Sequence, residues 1–283
     1  MNLNVVARLS RLVVPAIAFG LLAASGVRAQ SLVVKGSDTM VNLSQAWAEA
    51  YMAKNPRAKI SVTGGGSGTG IAGLINGSCD LANSSRAMKA KEIASCKSRG
   101  FVPKGYVTAL DGLAVSVNAA NPVRTLSIPQ IAGIYTGRIT DWSQVGGKAG
   151  RIVVLSRESN SGTFTYFKEV VLGNANYSPS ALLMPSTKAI AQELANNPNA
   201  IGYGGEAYFR HAGRVRILPV SHNGGAGIMP SDATVQNKSY PISRPLFVYT
   251  HGSPSPLASA FIRFCMSPEG QAIVTKVGYT RLP

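Results

Sequence analysis

Val62-Thr-Gly-Gly-Gly-Ser-Gly-Thr-Gly-Ile-Ala-Gly-Leu-Ile75 places six glycines in fourteen residues, between an apolar run and a helical pattern. Bare backbone at a helix start suits an anion. The N–H groups of the first turn point outward, and glycine lets the ion come close. A nucleotide is a poor fit here. Gly65 and Gly70 have the separation of a P-loop, but Ile71-Ala72 stands where Lys-Ser/Thr is required. Nor does Gly65-Gly-Ser-Gly-Thr69 match G-x-S-x-G, because Thr69 takes the place of the last glycine.

Three other loops share this character: Gly36-Ser-Asp-Thr39, Ser84-Ser-Arg86 and Arg157-Glu-Ser-Asn-Ser-Gly-Thr163. Each offers hydroxyls or small residues, and two carry an arginine. One such loop is explained by an N-cap or a turn. Four of them, each following a strand signal, point to an oxyanion site, because open α/β sheets bind ligands outside the carboxyl ends of their strands. Strand signals at Ser31–Lys35, Lys59–Thr63, Cys79–Asn83, Val107–Asn118 and Arg151–Leu155 alternate with helical patterns at Asp38–Tyr51, Ile71–Asn76, Pro129–Thr136 and Thr163–Leu172. A second group of short strands follows at Ala200–Tyr203, Val215–Val220 and Pro245–Tyr249, with a last helix from Pro256 to Met266 and on to Lys276. The repeated strand–loop–helix unit predicts α/β layers with largely parallel sheets.

The N-terminal residues set the compartment. Arg8 and Arg11 precede an apolar run from Leu12 to Ala24, and Val27-Arg-Ala29 supplies small residues for cleavage. This pattern is a secretory leader, and the apolar run is shorter than the roughly 20 residues that span a membrane. Cleavage after Ala29 would release a periplasmic or secreted chain and lower the net charge from +16 to +13. That charge favours anionic partners. The basic residues are scattered singly, with no aromatic-interleaved block, so nucleic acid is not expected.

Three cysteines remain. Cys79 and Cys96 flank one segment and are expected to pair in an oxidising compartment, which would add about 3 kcal/mol in the chain-entropy model. Cys265, in a helical apolar pattern, is expected as a buried free thiol. His211, His222 and His251 lack metal-ligand spacing, so neither a metal nor another cofactor is expected.

Lys35-Gly-Ser-Asp-Thr-Met40, the Gly-Gly-Gly-Ser-Gly-Thr-Gly and Ser-Ser-Arg segments, and Arg157-x-x-x-Ser161-Gly-Thr163 together resemble the periplasmic phosphate-binding proteins of ABC transporters. Ala109-Leu-Asp-Gly-Leu-Ala-Val115, Ile134–Trp142 and Ile201-Gly-Tyr203 fit the same family, and the likeness covers nearly all of 31–283. It implies a two-lobed, type II periplasmic-binding fold with mixed sheets flanked by helices. Two hinge strands would cross near 111–118 and 240–249. Lobe 1 would comprise 30–112 and 241–283, and lobe 2 would comprise 113–240. The implied partners are inorganic phosphate, bound between the lobes, and a membrane permease; the protein itself would be a monomer without enzymatic activity. A secreted phosphatase and a basic adhesion protein are the competing readings.

Carried over residue by residue, the resemblance makes Arg157 the cationic contact, with Ser161, Gly162 and Thr163 on the same anion and Ser67 donating from the glycine loop. Ser37, Asp38 and Thr39 close the first lobe's side. The longer members of the family have threonine where Asp38 stands, and an aspartate in the segment matching Ser84-Ser85-Arg86; here that position is Ser85. Near neutral pH phosphate keeps a proton that a carboxylate can accept, whereas sulfate has none to give. Asp38 is the first candidate for that acceptor and Asp111 the second. Arg86 is either a second cation or a loop-ordering partner of Asp80 or Asp38.

Overall fold

The computed structural model describes residues 30–283; the expected leader, residues 1–29, lies outside the described residues. The chain opens β1 (Gln30–Gly36), α1 (Val41–Lys54), β2 (Ala58–Gly65), α2 (Ser67–Ile75), β3 (Leu81–Ser84), α3 (Ala90–Ser98) and β4 (Lys104–Asn118). It continues β5 (Leu126–Ser127), α4 (Ile128–Tyr135), β6 (Val153–Arg157), α5 (Gly162–Val170), β7 (Leu182–Met184), α6 (Thr187–Asn196), β8 (Ala200–Gly205) and α7 (Glu206–Phe209). The last elements are β9 (Val215–Leu218), β10 (Val220–Ser221), α8 (Asp232–Gln236), β11 (Ser243–Thr250), α9 (Pro256–Met266) and α10 (Pro268–Val277).

One long sheet runs β2-β1-β3-β11-β4-β8-β6-β7, with β9 also paired to β4. Its flanks are parallel, β1 with β2 and β3, and β6 with β7 and β8. Its centre is antiparallel, so the sheet is mixed rather than largely parallel. β4 explains why. Its first part, through Gly112, pairs with β11, and from Leu113 onward it pairs with β8 and β9. Every residue from Asp111 to Asn118 is buried, the mark of a strand covered on both faces.

The buried apolar side chains gather into two main groups on either side of that change of partner. One surrounds Trp47 and draws on β1, α1, α9 and α10; Trp47 Nε1 donates to Gly270 O at 2.8 Å. The other surrounds Trp142, Phe167 and Tyr203, the last two stacked with ring centroids 3.8 Å apart. Within this group the Tyr177 and Tyr203 hydroxyls are bonded to each other, and Tyr203 is bonded to Ser156, next to Arg157.

Local details depart from the sequence pattern at three places. Helix α2 begins at Ser67, not Ile71, so part of the glycine run lies inside a helix, where glycine normally costs stability. A Cβ on Gly70 would sit 2.5 Å from both Gly36 Cα and Lys35 O, so glycine is what lets α2 lie directly on the backbone of β1. The C-terminal helix is two helices. Ser267 ends α9 and its hydroxyl caps α10, with Pro268 opening the new turn. Cys79 and Cys96 are both free, contrary to the expected disulfide. Cys79 Sγ donates to Gly70 O beneath α2, and Cys96 is packed in the apolar group under α3, so each thiol is satisfied by its own surroundings. Cys265 is a buried free thiol, as the pattern suggested.

Candidate functional site

The four loops singled out in the sequence meet where β1, β2, β3 and β6 end. After β1, Ser37 precedes a 3-10 turn over Asp38–Met40; Ser37 is buried and its hydroxyl makes no cap. After β2, Gly66 adopts φ +92°, and a Cβ there would meet Asn160 O at 2.8 Å, so only glycine allows this turn beside the facing loop. Ser67 then opens α2, fully buried. After β3, Ser85 N donates to Ser67 Oγ at 3.0 Å, and the two hydroxyls lie 3.3 Å apart. After β6, Ser161 caps α5 by accepting from Thr163 N and Phe164 N.

The loops interlock. Gly68 N donates to Asn160 O at 2.9 Å, and Asn160 Nδ2 returns a bond to Gly65 O at 3.0 Å. Thr39 Oγ1 and Thr163 Oγ1 are 2.9 Å apart. Gly162 comes so close to the facing wall that a Cβ on it would stand 2.2 Å from Ser67 Oγ and 2.8 Å from Ser85 Oγ. The starts of α2 and α5, two nine-residue helices, therefore converge on one cluster of buried hydroxyls, and their positive dipole ends converge with them. Among the residues expected at the site, Ser37, Thr39, Ser67, Ser85, Asp111, Ser161, Gly162 and Thr163 are gathered here.

The arginines fall differently. Arg157 is 2 % exposed, and its guanidinium is engaged at every nitrogen. Nε donates to Met184 O, Nη1 to Thr187 Oγ1 and Nη2 to Pro185 O, while Asp38 Oδ2 lies 3.4 Å from Nη2. Its acidic partner is thus Asp38 and not the neighbouring Glu158. Burial lowers the Arg157 pKa and Asp38 opposes the shift, leaving the guanidinium charged. Asp38 Oδ2 also accepts from Thr187 N at 3.0 Å, and Tyr208 OH donates to the Asp38 carbonyl at 2.9 Å. Arg86 pairs with neither Asp80 nor Asp38. It forms a two-pronged ion pair with Glu92, at 2.7 and 2.8 Å, and donates to Ala87 O. Glu92 is brought back to Arg86 because it also accepts from Lys89 N in the capping box that starts α3.

Arg244 was not foreseen. It lies on β11 directly opposite Asp111 on β4, and both are almost fully buried. Nε and Nη2 donate to Asp111 Oδ2 at 3.0 and 2.8 Å, and Nη2 also reaches Thr163 Oγ1 at 3.1 Å. Burial pushes the Asp111 carboxyl up, and the Arg244 guanidinium opposes that shift. Asp111 Oδ1 and Arg244 Nη1 are buried with no side-chain partner; the Glu206 backbone N–H is near enough to Asp111 to help lower its pKa, but not at full hydrogen-bond geometry. The sequence carried one usable signal, a lone arginine in an otherwise apolar strand, Pro241-Ile-Ser-Arg-Pro-Leu-Phe-Val248.

Residues 23–269 match the family model of the PBP superfamily domain. The phosphate-binding protein PstS of Pseudomonas aeruginosa is 31% identical over 277 residues, covering 92% of this chain and 85% of that protein. The phosphate-binding protein PstS of Bacillus subtilis is 32% identical, covering 88% of this chain and 80% of that protein. Among solved structures, a Clostridium perfringens protein carrying bound phosphate superposes with a TM-score of 0.82 at 31% identity, over 90% of this chain and all of that one. An ABC-type phosphate transport receptor from Vibrio cholerae superposes with a TM-score of 0.72 at 28% identity, over 89% of this chain and all of that one. Fold, loop geometry and relatives agree: this chain belongs to the PBP superfamily, in the family of the PstS phosphate-binding proteins.

Proposed function

We propose that the chain captures inorganic phosphate between two lobes and delivers it to an ABC permease. The observation that carries this reading is the meeting of two helix starts with the hydroxyls of Thr39, Ser67, Ser85 and Thr163 in one buried cluster. Hydroxyls and helix N-termini are donors matched to a tetrahedral oxyanion. The relatives named for phosphate binding, and the one solved with phosphate in place, supply the ligand.

Lobe 1 comprises 30–112 and 241–283, lobe 2 comprises 113–240, and β4 and β11 are the hinge strands between them. Thr39 and Thr163, now bonded to each other across the lobes, would exchange that bond for bonds to the anion. Ligand contacts from both sides favour the closed arrangement, which is what couples capture to motion. Ser161 keeps its O–H as a donor while its lone pairs cap α5. Arg157 acts through the Asp38 clamp that holds the 184–187 turn against the first loop. The leader at 1–29 would export the chain to the periplasm or beyond. No helix among the described residues is long and apolar enough to cross a membrane.

Selectivity against sulfate needs an acceptor for the phosphate proton. Each carboxylate commits its Oδ2, Asp38 to Thr187 N and Arg157 and Asp111 to Arg244, but Asp111 Oδ1 is the one that is fully buried without a side-chain partner, beside the Thr39 and Thr163 hydroxyls. Asp111 is therefore the acceptor in this reading. Titration calorimetry with phosphate and sulfate on ligand-stripped protein tests both parts. One phosphate per chain and no heat with sulfate are expected. No saturable phosphate binding would overturn the function. Sulfate admitted by Asp38→Asn but not by Asp111→Asn would move the acceptor to Asp38.

A further inference from the structure

We propose that Arg244 is a positioning residue of the anion site, one that holds the Thr163 hydroxyl in place as a donor to the bound ion. The proposal rests on the phosphate reading above and adds a residue to it.

A guanidinium paired with a carboxylate frequently squares its fork on both oxygens. Arg244 does not. Both of its bonds to Asp111 go to the single oxygen Oδ2, while Oδ1 and Nη1 remain without a side-chain partner in a buried setting. The fork is turned, and the turn brings Nη2 to Thr163 Oγ1 at 3.1 Å. A second contact fixes the plane: Arg244 Cζ lies 5.4 Å from the centroid of the Tyr166 ring, and Tyr166 OH donates to Ser243 O at 2.7 Å. Tyr166 stands one helical turn after Thr163 on α5, so one helix face supplies both the hydroxyl and the bed for the guanidinium.

Arginine can only donate, so the Arg244 N–H occupies a lone pair of Thr163 Oγ1. The Thr163 proton is then turned away from Arg244, toward the space shared with Thr39 Oγ1, 2.9 Å away. A hydroxyl that accepts from a cation is also a stronger donor, because bonds in a chain polarise one another. The ring closes at Gly205, where a Cβ would stand 3.2 Å from Asp111 Oδ1 and 3.1 Å from Thr39 Cγ2. Asp111, Arg244, Thr163 and Thr39 thus form one packed circuit, with two members on the strands that cross at the centre of the sheet.

A double-mutant cycle tests the coupling, with phosphate affinity read by calorimetry and folding by near-UV circular dichroism. Thr163→Val and Arg244→Met are each expected to raise the Kd by about tenfold to a hundredfold, the range for a hydrogen bond to a charged group. Arg244→Met also strips Asp111 of its cation, so the masking is judged on Arg244→Lys, which keeps a cation against Asp111 without a planar fork. Combined with Thr163→Val, Arg244→Lys is expected to bind within about threefold of the weaker single variant, because the second change removes a group acting through the first. Thr163→Ser should keep the dependence on Arg244. Multiplying single effects in that pair, or Arg244 variants with wild-type affinity, would overturn the proposal. Wild-type protein without phosphate binding would instead refute the underlying function.

Discussion

Adding one methyl group at Gly162 tests the site's tightest approach. In Gly162→Ala the new Cβ would stand 2.2 Å from Ser67 Oγ, 2.8 Å from Ser85 Oγ and 2.9 Å from Ser67 Cβ. Rotating the Ser67 hydroxyl away would relieve the first contact but forfeit its bond from Ser85 N, and it would leave the Cβ contact unchanged. Overpacking of this kind costs about 1–3 kcal/mol. Gly162 and Ser67 belong to different helix starts, so the strain falls on the approach of α5 to α2 and not within either helix. Alanine is also the better helix former, by roughly 0.8–1 kcal/mol. That gain at most cancels the low end of the overpacking cost, so the melting temperature should hold or fall, while phosphate affinity falls by about fivefold to a hundredfold at about 1.4 kcal/mol per decade. Scanning calorimetry and titration calorimetry on the same sample read the two effects separately. Wild-type affinity in Gly162→Ala would refute the argument that the two helix starts close on each other.

Burial pushes the Glu92 carboxyl up, but the bonds from Arg86 and Lys89 N together hold it below its ordinary value. Its contribution to stability is therefore complete above the ordinary carboxylate range and is lost as pH falls through the lowered pKa. Wild-type protein should lose more thermal stability between about pH 5 and 3 than Glu92→Gln, and equal acid slopes would count against the pair. Ellman titration without reductant should find three thiols per unfolded chain and slow reaction of the buried thiols in the native one. A crosslinked peptide containing Cys79 and Cys96 in non-reducing mass spectrometry would contradict the thiol assignment.

The strand–loop–helix rhythm was legible because β1, β2 and β6 carry strong apolar runs followed directly by Ser/Thr/Gly turns. Those turns do converge. The charged partners were not legible, for reasons of distance along the chain. Arg157 is engaged by the 184–187 turn, and the strand that delivers it, Leu182–Met184, is too short to announce itself. Arg244 meets Asp111 only through the register of two strands 133 residues apart, which no local pattern encodes. Glu92 reaches Arg86 because the chain doubles back at the start of α3, a consequence of capping and not of spacing. The glycine run was legible as an anion cradle in part only; Gly70 serves the contact of α2 with β1. The cysteine spacing suggested a bridge, but spacing says nothing of where a thiol points.

Each guanidinium at or beside the site is matched by a carboxylate, Arg157 with Asp38, Arg244 with Asp111 and Arg86 with Glu92. The binding locus thus adds almost no net charge of its own, although the chain as a whole carries +16. Attraction of a dianion from a distance then belongs to the solvent-facing lysines and arginines, whose reach shrinks to about 10 Å at 0.1 M salt. Added salt should slow arrival of the ion and leave its departure almost untouched, since departure depends on donors shielded from counterions. Encounter and residence are in this way governed by separate sets of residues.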